Sequence, residues 1–541
     1  MRSSITTLLV ASRGEMARRV IRTAREMGIG TVATFTEADR DALFVGEADE
    51  AVALERFSDR GPGAYLDAAA LVEAARRAGA DAVHPGAGVL AEDAGFAWRC
   101  AEAGLRYVGP SAEAIATLGS KLEAKALAAG AGVPVLEVEE VEGYPPGKLE
   151  AAAEVLGWPV AVKASAGAGG RGLRVVRDGE DLVGAVEATR REATAAFGDG
   201  TLFLEPWLEP TRHVEVQIFG DAAGRLAHLF ERDGSLSRRR RTVIVEAPAP
   251  KLPQPMRERL VEAALCIAEA IGYHGAGTVE FLVSGEQLWF SEVNTRLDLG
   301  HPVTEAILGL DLVRMQLATA EGRPLPAEAR HCSPSGFAVG AHLCLAAASP
   351  PVPRLLRRFE IDPAPGLRVE TGVASGSLVG PDDDPRLATI VAHANGRTEA
   401  IHRLAAALEG MRIHGLRTNR EELVAALRHP DVVAGDVDTG FLDGQQAALD
   451  PRRSPLGSSR GGPDAVRLHA LAAALAGLPR PGSGSTVFAG PAGERVEVRY
   501  RLDPSGAVAD ADVDGVAFPG DRKSTRLNSS HLAVSRMPSS A

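Results

Sequence analysis

The stretch ITTLLVASRGEMARRVIRTAREMGIGTVATFTE, residues 5–37, decides the fold class of this chain. It opens with ITTLLVAS, an apolar run of strand length. The segment GEMARRVIRTAREMG then carries the apolar spacing of an amphipathic helix, and TVATFTE is a second strand-like run. A strand, a helix and a strand in this order predict a parallel βαβ unit.

The same alternation continues to about residue 118. The amphipathic segment AAALVEAARRAGA and the apolar segment DAVHPG follow in turn, which extends the pattern to βαβαβ. We therefore predict an α/β fold whose first part, residues 1–118, is a parallel sheet with crossover helices. His84, in DAVHPG, is predicted to order a turn at a strand end rather than to act in catalysis.

Composition and charge exclude several classes of protein. The chain has 541 residues, 45% of them hydrophobic and 24% charged, which predicts several globular domains. No apolar run reaches the roughly eighteen residues of a membrane span, and we expect a cytoplasmic protein that does not bind membranes. The net charge of −12 argues against a nucleic-acid binder. The four cysteines are scattered and are predicted to be reduced thiols: Cys100, Cys266, Cys332 and Cys344.

The character of the sequence changes five times after the first block. Helices, a glycine-rich loop and longer strands predict a second domain over 119–333, and a third follows over 334–446. A Pro-, Gly- and Ser-rich linker is predicted over 447–464, and a helix with a strand pair over 465–520. Residues 521–541 are abruptly polar and resemble a non-native tail, so we expect the natural protein to continue beyond about residue 520.

A glycine-rich loop, SAGAGGRGL (165–173), lies between two strand-like runs. Glycines let a backbone approach phosphate closely, yet the loop alone is equally typical of a flexible hairpin. Two lysines favour the phosphate interpretation in a chain where arginine far outnumbers lysine. Lys163 precedes the loop and Lys121 opens a helix, so both can bracket phosphates as point charges.

The segment EVNTRLDLGHPVTE (292–305) carries a candidate cation site. Glu292, Asn294 and Arg296 alternate, which predicts that they share one face of a strand. Glu280 lies twelve residues earlier, the distance of a strand, a turn and the next strand. The two glutamates are therefore predicted to meet across an antiparallel pair, where they suit Mg²⁺ beside phosphates. The alternative is a pair of ordinary surface carboxylates.

Ordered motifs from the N-terminus to about residue 446 resemble those of biotin carboxylases, the ATP-grasp enzymes of acyl-CoA and pyruvate carboxylases. In chain order the motifs are VASRGEMARRVIRTAREMGI (10–29), EADRD (37–41), HPGAGVLAED (84–93), YVGPS (107–111), GSK (119–121), KASAGAGGRG (163–172), RHVEVQ (212–217), ERDGSLSRR (231–239), EAPAP (246–250), GYHGAGTVEF (272–281), EVNTR (292–296) and HPVTE (301–305). Residues 465–520 more weakly resemble the coupling segment of long acyl-CoA carboxylase alpha chains.

The resemblance implies a Rossmann-like N-domain, a central ATP-grasp domain with a mobile lid, a C-terminal domain of biotin carboxylase type and a partial coupling region. It implies a catalytic role for Arg296, which would stabilise the carboxylation intermediate. It implies Mg²⁺ or Mn²⁺ ligation by Glu280, Glu292 and Asn294. The ATP-binding residues that it implies are Lys121, Lys163, Gly167, Gly169, Gly170, Glu205, Leu208, His213, Glu280 and Glu292.

Several positions depart from the family pattern. Thr242 and Asp298 replace a Lys and a Gln, Gly300 replaces the Glu taken as the base for bicarbonate, and His342 replaces an Arg beside biotin. Further departures are Ser12, Pro206, Ser237, Arg240, Ala166, Ala168 and the stretch DDDPRLATI (382–390). The ATP and metal residues survive, whereas those for bicarbonate and biotin are mostly replaced.

The resemblance therefore predicts an ATP- and Mg-dependent biotin carboxylase component with a degraded carboxylation half. ATP and bicarbonate would yield carboxyphosphate, and the carboxyl group would pass to biotin on a carrier domain outside this chain. The expected partners are that carrier, a carboxyltransferase subunit and a second copy of the chain. Two alternatives stay open: an ATP-grasp ligase for another acceptor, and a non-catalytic paralogue that binds ATP.

Overall fold

A computed structural model describes residues 4–167, 171–238, 240–346, 352–381, 383–445, 449, 483–489, 495–502, 508–513 and 516–519. The chain forms two compact units, Met1–Gln446 and Ala447–Ala541. Apart from Leu449, the predicted linker lies outside the described residues, as do the predicted helix after it and the predicted tail (521–541). The division of the first unit at residues 118 and 333 stays a prediction.

The N-terminal part of the first unit is a five-stranded parallel sheet in the order β3-β2-β1-β4-β5, which confirms the βαβ prediction. Its strands are β1 (Thr7–Val10), β2 (Gly30–Phe35), β3 (Glu50–Ala53), β4 (Ala82–His84) and β5 (Arg106–Tyr107). Its helices are α1 (Gly14–Glu26), α2 (Leu43–Glu47), α3 (Ala68–Arg77), α4 (Ala94–Glu102) and α5 (Ala112–Gly119). In α1, Ala17, Val20, Ile21 and Ala24 are buried, which is the spacing of one helix face.

His84 ends β4 and orders the turn that follows, as the sequence predicts. The ring is fully buried; its Nδ1 accepts a hydrogen bond of 3.0 Å from the backbone N of Gly86, and its Nε2 lies 3.3 Å from Gln316 Oε1. Because Nδ1 is the acceptor, Nε2 carries the single proton of the neutral imidazole. Burial lowers the pKa of His84 to about 4.

The next part is a four-stranded antiparallel sheet, β6-β9-β7-β8, with helices around it. Its elements are α6 (Lys121–Gly130), β6 (Glu139–Glu140), α7 (Pro146–Leu156), β7 (Val160–Ala164), β8 (Leu173–Val176), α8 (Leu182–Phe197) and β9 (Leu202–Pro206). The glycine-rich loop joins β7 to β8, so the predicted strand–loop–strand arrangement is confirmed. Gly172 leaves the loop at φ 72°, and a Cβ on it would lie 2.8 Å from the Cβ of Ala164.

A long antiparallel sheet carries the remaining site residues. It begins in the order β16-β15-β10-β11-β14-β17, and a separate hairpin pairs β12 with β13. The strands are β10 (Arg212–Gly220), β11 (Leu226–Asp233), β12 (Ser237–Arg238), β13 (Arg241–Thr242), β14 (Ile244–Ala247), β15 (Gly275–Ser284), β16 (Gln287–Asn294) and β17 (Phe337–Cys344). The helices are α9 (Gln254–Ala270), α10 (His301–Leu308), α11 (Leu312–Ala320) and α12 (Ala327–Arg330).

The same sheet continues into the third predicted domain, because β14 pairs with β17 and β17 with β22. The later strands are β18 (Arg354–Leu355), β19 (Arg358–Glu360), β20 (Leu367–Thr371), β21 (Leu378–Val379), β22 (Arg386–Ala394) and β23 (Arg412–His414). The later helices are α13 (Arg397–Gly410), α14 (Arg420–Leu427), α15 (Pro430–Ala434) and α16 (Phe441–Gly444). The predicted boundary at 333/334 thus falls between strands of one continuous sheet.

The second unit contains a four-stranded antiparallel sheet, larger than the strand pair that the sequence predicts there. Its strands, in spatial order, are β24 (Ser483–Ala489), β25 (Arg495–Leu502), β26 (Val508–Val513) and β27 (Val516–Pro519). Among the residues with described structure, no helix is both long and apolar enough to cross a membrane. All four cysteines are free, in agreement with the prediction of reduced thiols.

The buried His84 makes stability depend on pH. Its pKa in the folded chain, about 4, lies below the ordinary 6.5, so its contribution is complete above pH 6.5 and is lost as the pH falls toward 4. His84→Asn, whose amide oxygen can still accept from Gly86, is expected to lower the free energy of unfolding by about 1–2 kcal/mol at pH 7.5. Between pH 7.5 and pH 5, the thermal midpoint of the variant should also fall by less than that of the native chain. Equal losses in the two proteins would contradict this role.

Candidate active site

Two glutamates face each other across β15 and β16, as their twelve-residue spacing predicts. Glu280 is the direct partner of Glu292, and Thr278 is the partner of Asn294. The amide of Asn294 donates a hydrogen bond to Glu280 Oε1. β16 ends at Asn294, so Arg296 lies just beyond the strand rather than on its face. The carboxylates and the amide nevertheless form one contiguous polar group.

Lys121 connects this carboxylate pair to the glycine-rich loop. Its Nζ forms an ion pair with Glu292 and donates a hydrogen bond of 2.6 Å to the carbonyl oxygen of Gly167. Its backbone N donates to Ser165 O at 3.0 Å. Burial acts to lower the pKa of Lys121, but Glu292 and Glu280 outweigh it and the pKa is raised. The lysine is therefore a permanent cation where the loop meets the carboxylates.

His213, on β10, is the second cation beside Glu280. Its Nε2 lies 2.8 Å from Glu280 Oε2, and its Nδ1 lies 3.7 Å from Glu215 Oε1. Burial opposes protonation, but Glu280 and Glu215 raise the pKa of His213 to about 10. A protonated imidazole is a poor metal ligand and a good hydrogen-bond donor to phosphate.

The structure brings together a group of possible metal ligands that differs from the predicted Mg²⁺ ligands. In the described part of the chain, ligand atoms of His213, Glu215 and Glu280 lie within 4.8 Å of one another. The predicted ligands Glu280, Glu292 and Asn294 share only Glu280 with that group. Because His213 is protonated, the carboxylate oxygens of Glu280 and Glu292 suit Mg²⁺ better, and the predicted set remains a prediction.

A second group of buried charges lies on β9, β7 and α6. Glu205 is 1% exposed and forms ion pairs with Lys163 and with Lys125, whose Nζ is 3.0 Å from Oε2. Burial acts to raise the pKa of Glu205, but the two lysines lower it by more, so the pKa lies below its ordinary value. Lys125 was not predicted, although its place four residues after Lys121 puts it on the same helix face. Leu208 is half-buried, and its adenine contact stays a prediction.

Gly167 is required by the loop geometry. A Cβ there would lie 2.9 Å from the carbonyl oxygen of Arg171 and 3.1 Å from that of Ala164, too close for any side chain. The carbonyl of Gly167 also accepts from Lys121. Gly169 and Gly170, predicted to contact ATP, lie outside the described residues.

Arg296 is held by the oxygens of three neighbours. Its Nη1 donates to Asp298 Oδ1 at 2.8 Å, its Nη2 to Asn294 Oδ1 at 3.2 Å, and its Nε lies 3.2 Å from Glu92 Oε1. Burial opposes the charge, but Glu92 and Asp298 outweigh it and raise the pKa of Arg296 above its usual range. Glu92 lies in the HPGAGVLAED motif, which gives no hint of this pairing across the sequence.

The guanidinium of Arg232 lies directly against Gly300. It is fully buried, and a Cβ on Gly300 would lie 2.6 Å from its Nε. Its Nε donates to Glu215 at 2.5 Å, and its Nη2 donates to Thr278 at 2.9 Å and lies 3.4 Å from Asp298 Oδ2. The ERDGS motif contains Arg232, but nothing in its local pattern marks it as part of the site.

The other substituted positions are satisfied by uncharged partners. Thr242 Oγ1 donates to Gly234 O at 3.2 Å. His342 is buried, and its Nδ1 lies 3.1 Å from Thr389 Oγ1, which in turn donates to Glu15 Oε1 at 3.1 Å. Burial lowers the pKa of His342 to about 4, so this ring is neutral near pH 7. It therefore brings no positive charge to this position, where the resemblance implies an arginine.

Two members of the basic run before Thr242 contact other parts of the first unit. Arg238 donates to Glu422 Oε1 at 2.8 Å and to Asp443 Oδ1 at 2.9 Å, in the C-terminal part. Arg240 donates to Leu173 O at 2.6 Å, at the end of the glycine-rich loop. Ser237 pairs with Thr242 in the hairpin. Arg239 and Asp382 lie outside the described residues.

Comparison with known sequence families covers most of the first unit. Residues 4–115 match "Biotin carboxylase, N-terminal domain", residues 120–328 match "Carbamoyl-phosphate synthase L chain, ATP binding domain", and residues 348–444 match "Biotin carboxylase C-terminal domain". A biotin carboxylase of Halalkalibacterium halodurans is 42% identical over 442 residues, which are 80% of this chain and 96% of that protein. The chain belongs to the biotin carboxylase family. Members of this family are ATP-dependent ligases.

Longer relatives and solved structures agree with that assignment. The mitochondrial methylcrotonoyl-CoA carboxylase alpha subunit of Arabidopsis thaliana is 40% identical over 82% of this chain, which spans only 61% of that subunit. The biotin carboxylase domain dimer of Hydrogenobacter thermophilus 2-oxoglutarate carboxylase, solved with MgADP, ADP and bicarbonate, is 34% identical with a TM-score of 0.79; the match covers 83% of this chain and 99% of that one. Rhizobium etli pyruvate carboxylase matches with 34% identity and a TM-score of 0.80, over 90% of this chain and 44% of that one.

Lys163 provides a test of nucleotide binding. Lys163→Met removes a point charge beside the glycine-rich loop while Glu205 keeps Lys125 as a partner. We expect the dissociation constant of Mg-ATP, measured by calorimetry, to rise about tenfold to a hundredfold, since a hydrogen bond to a charged group contributes about 1.5–3 kcal/mol. Lys148→Met, an exposed lysine on α7, is the matched control and should bind normally. Equal affinity in the two variants would contradict a phosphate contact at Lys163.

Gly300 provides a test of packing. Gly300→Ala places a methyl group against the buried guanidinium of Arg232, and overpacking of this kind costs about 1–3 kcal/mol. We therefore expect a lower thermal midpoint. Gly147→Ala, in α7 with open space around its Cβ, should leave the midpoint unchanged or raise it. A stable Gly300→Ala protein would mean that Arg232 moves freely.

Proposed function

We propose that this chain is the biotin carboxylase component of an acyl-CoA carboxylase. It would use Mg-ATP to activate bicarbonate and would transfer the carboxyl group to biotin on a carrier domain. The observation that carries the proposal is the cluster of Lys121, His213, Glu280 and Glu292 beneath the glycine-rich loop. Membership of the family and the names of its relatives support the same reaction.

The proposed chemistry has two steps. An oxygen of bicarbonate attacks the γ-phosphorus of ATP, ADP leaves, and carboxyphosphate forms. Carboxyphosphate then gives its carboxyl group to a ring nitrogen of biotin, which loses its proton, and inorganic phosphate is released. Lys121, Lys163 and His213 would hold the phosphates as cationic hydrogen-bond donors. Mg²⁺, held by Glu280, Glu292 and Asn294, would neutralise charge on the β- and γ-phosphates.

Arg296 is the proposed group that stabilises the anion formed in the carboxylation step. It is permanently charged and lies two residues from Asn294, so it borders the metal and phosphate region. The first step is the better supported of the two, because the three cations proposed to hold the phosphates, Lys121, Lys163 and His213, are present. The second lacks the arginine that the family has at position 342, where a neutral His342 stands.

Asp298 does not replace the missing base. Burial alone would raise its pKa, but Arg296 and Arg232 overcome it and hold the pKa of this carboxyl well below its usual range. The strength of a general base follows its pKa, so a carboxylate stabilised in this way accepts protons poorly. This argument favours slow carboxylation and keeps open, as a second candidate, an ATP-binding family member with little turnover.

The partners and location follow from the same proposal. A biotinyl carrier domain and a carboxyltransferase subunit would complete the reaction, and the chain would pair with a second copy of itself. The dimer in the Hydrogenobacter thermophilus structure supports that last point. We propose a cytoplasmic location, in keeping with the bacterial relatives.

Release of ADP by the purified chain tests the proposal. With Mg-ATP we expect release that requires bicarbonate, rises with free biotin and stops when EDTA removes the metal. The rate should fall about a hundredfold to ten-thousandfold below ordinary turnover, because the positioned base is absent. Tight ATP binding with no bicarbonate-dependent release would instead support a non-catalytic family member.

A further inference from the structure

Two arginines converge on one aspartate beside the carboxylate cluster. Arg296 Nη1 donates to Asp298 Oδ1 at 2.8 Å, and Arg232 Nη2 lies 3.4 Å from Asp298 Oδ2. Guanidinium groups bind planar oxyanions through paired N–H donors, and two of them around one carboxylate form a pocket suited to a small monoanion. In this chain a side chain of the protein itself fills that pocket.

The aspartate is also fixed by the backbone. The N–H of Gly300 donates to Asp298 Oδ2 at 2.9 Å, so both oxygens of the carboxylate have donors. The side chain of Asp298 is 17% exposed and that of Arg296 is 16% exposed. A small ion from solvent can therefore reach Asp298 and Arg296, and it contacts the fully buried Arg232 only once Asp298 has moved aside.

The remaining nitrogens of Arg296 are engaged as well. Its Nη2 donates to Asn294 Oδ1 at 3.2 Å, and its Nε lies 3.2 Å from Glu92 Oε1. An incoming oxyanion must therefore compete with oxygens that the chain supplies at each edge of the guanidinium. Of these, Asp298 is the one that also contacts the second arginine.

We propose that Asp298 is an internal anion that occupies an oxyanion subsite formed by Arg296 and Arg232. A carbonate-class monoanion from solvent binds there only when it displaces the aspartate. A tethered group competes at an effective concentration of about millimolar or higher, so Asp298 weakens binding of a free anion by occupying the same donors. Asp298 is thus a determinant of affinity rather than a proton acceptor. The inference rests on the proposed function in its choice of bicarbonate as the anion.

Asp298→Asn separates charge from shape. The amide keeps the size of the side chain and an oxygen that accepts from Gly300, but it no longer neutralises the arginines. Bicarbonate is titrated by calorimetry into the full chain saturated with Mg-ADP, a measurement that needs no turnover. We expect the dissociation constant of bicarbonate to fall about tenfold or more, as is typical when a competing charged partner is removed. The dissociation constant of ADP should not change.

Asp41→Asn, an exposed carboxylate, is the control for net charge and should bind bicarbonate as the native chain does. Asp298→Gln is the second variant, in case Asp298→Asn unfolds at a lower temperature, and it should show the same gain in bicarbonate affinity. Unchanged or weaker binding in the folded Asp298 variants would overturn the inference. Tighter binding without any bicarbonate-dependent ADP release would retain the subsite and reject the proposed function.

Discussion

The pairing of Glu280 with Glu292 across β15 and β16 is the constraint on which the rest of the site depends. Like charges placed directly opposite each other destabilise an antiparallel sheet, so each carboxylate needs a cation. Lys121 comes from the start of α6 and His213 from the neighbouring strand β10. Lys121 also donates a hydrogen bond to the carbonyl oxygen of Gly167. The lysine that neutralises Glu292 therefore also positions the start of the glycine-rich loop.

A fully buried guanidinium imposes a similar constraint on the adjoining region. Arg232 contacts Glu215 and Gln217 on β10, Thr278 on β15 and Thr304 on α10, so three elements meet at one side chain. An unpaired buried charge costs several kcal/mol, and these partners are therefore fixed by the need to satisfy it. The same requirement leaves room for no side chain at Gly300. Gly300 itself has an ordinary right-handed helical backbone, so any constraint at this position comes from Arg232 rather than from the local turn.

Local sequence patterns predicted the parts of the fold that depend on neighbouring residues. The apolar periodicity of residues 5–37 predicted the first βαβ unit, and a twelve-residue spacing predicted that Glu280 meets Glu292. The pairing of β14 with β17 could not be predicted, because no local pattern specifies which distant strand joins a sheet edge. Glu92 and Arg232 were missed for the same reason: their partners are far away in sequence. Lys125 was within reach, since its helical spacing from Lys121 was visible.

The kinds of cation on the two sides of the site differ in a way that bears on function. Lysine is rare in this chain, yet Lys121, Lys125 and Lys163 all lie in the part of the site beside the glycine-rich loop, the nucleotide half. An ammonium group is a flexible point charge that can exchange a carboxylate for a phosphate with little change in geometry. The other part of the site, the acceptor half around Asp298, instead relies on the planar guanidinium groups of Arg232 and Arg296. Both guanidinium groups already contact Asp298. A ligand can bind in the acceptor half only if it displaces Asp298 from both arginines. We therefore expect ligand binding to require less free energy of rearrangement in the nucleotide half than in the acceptor half.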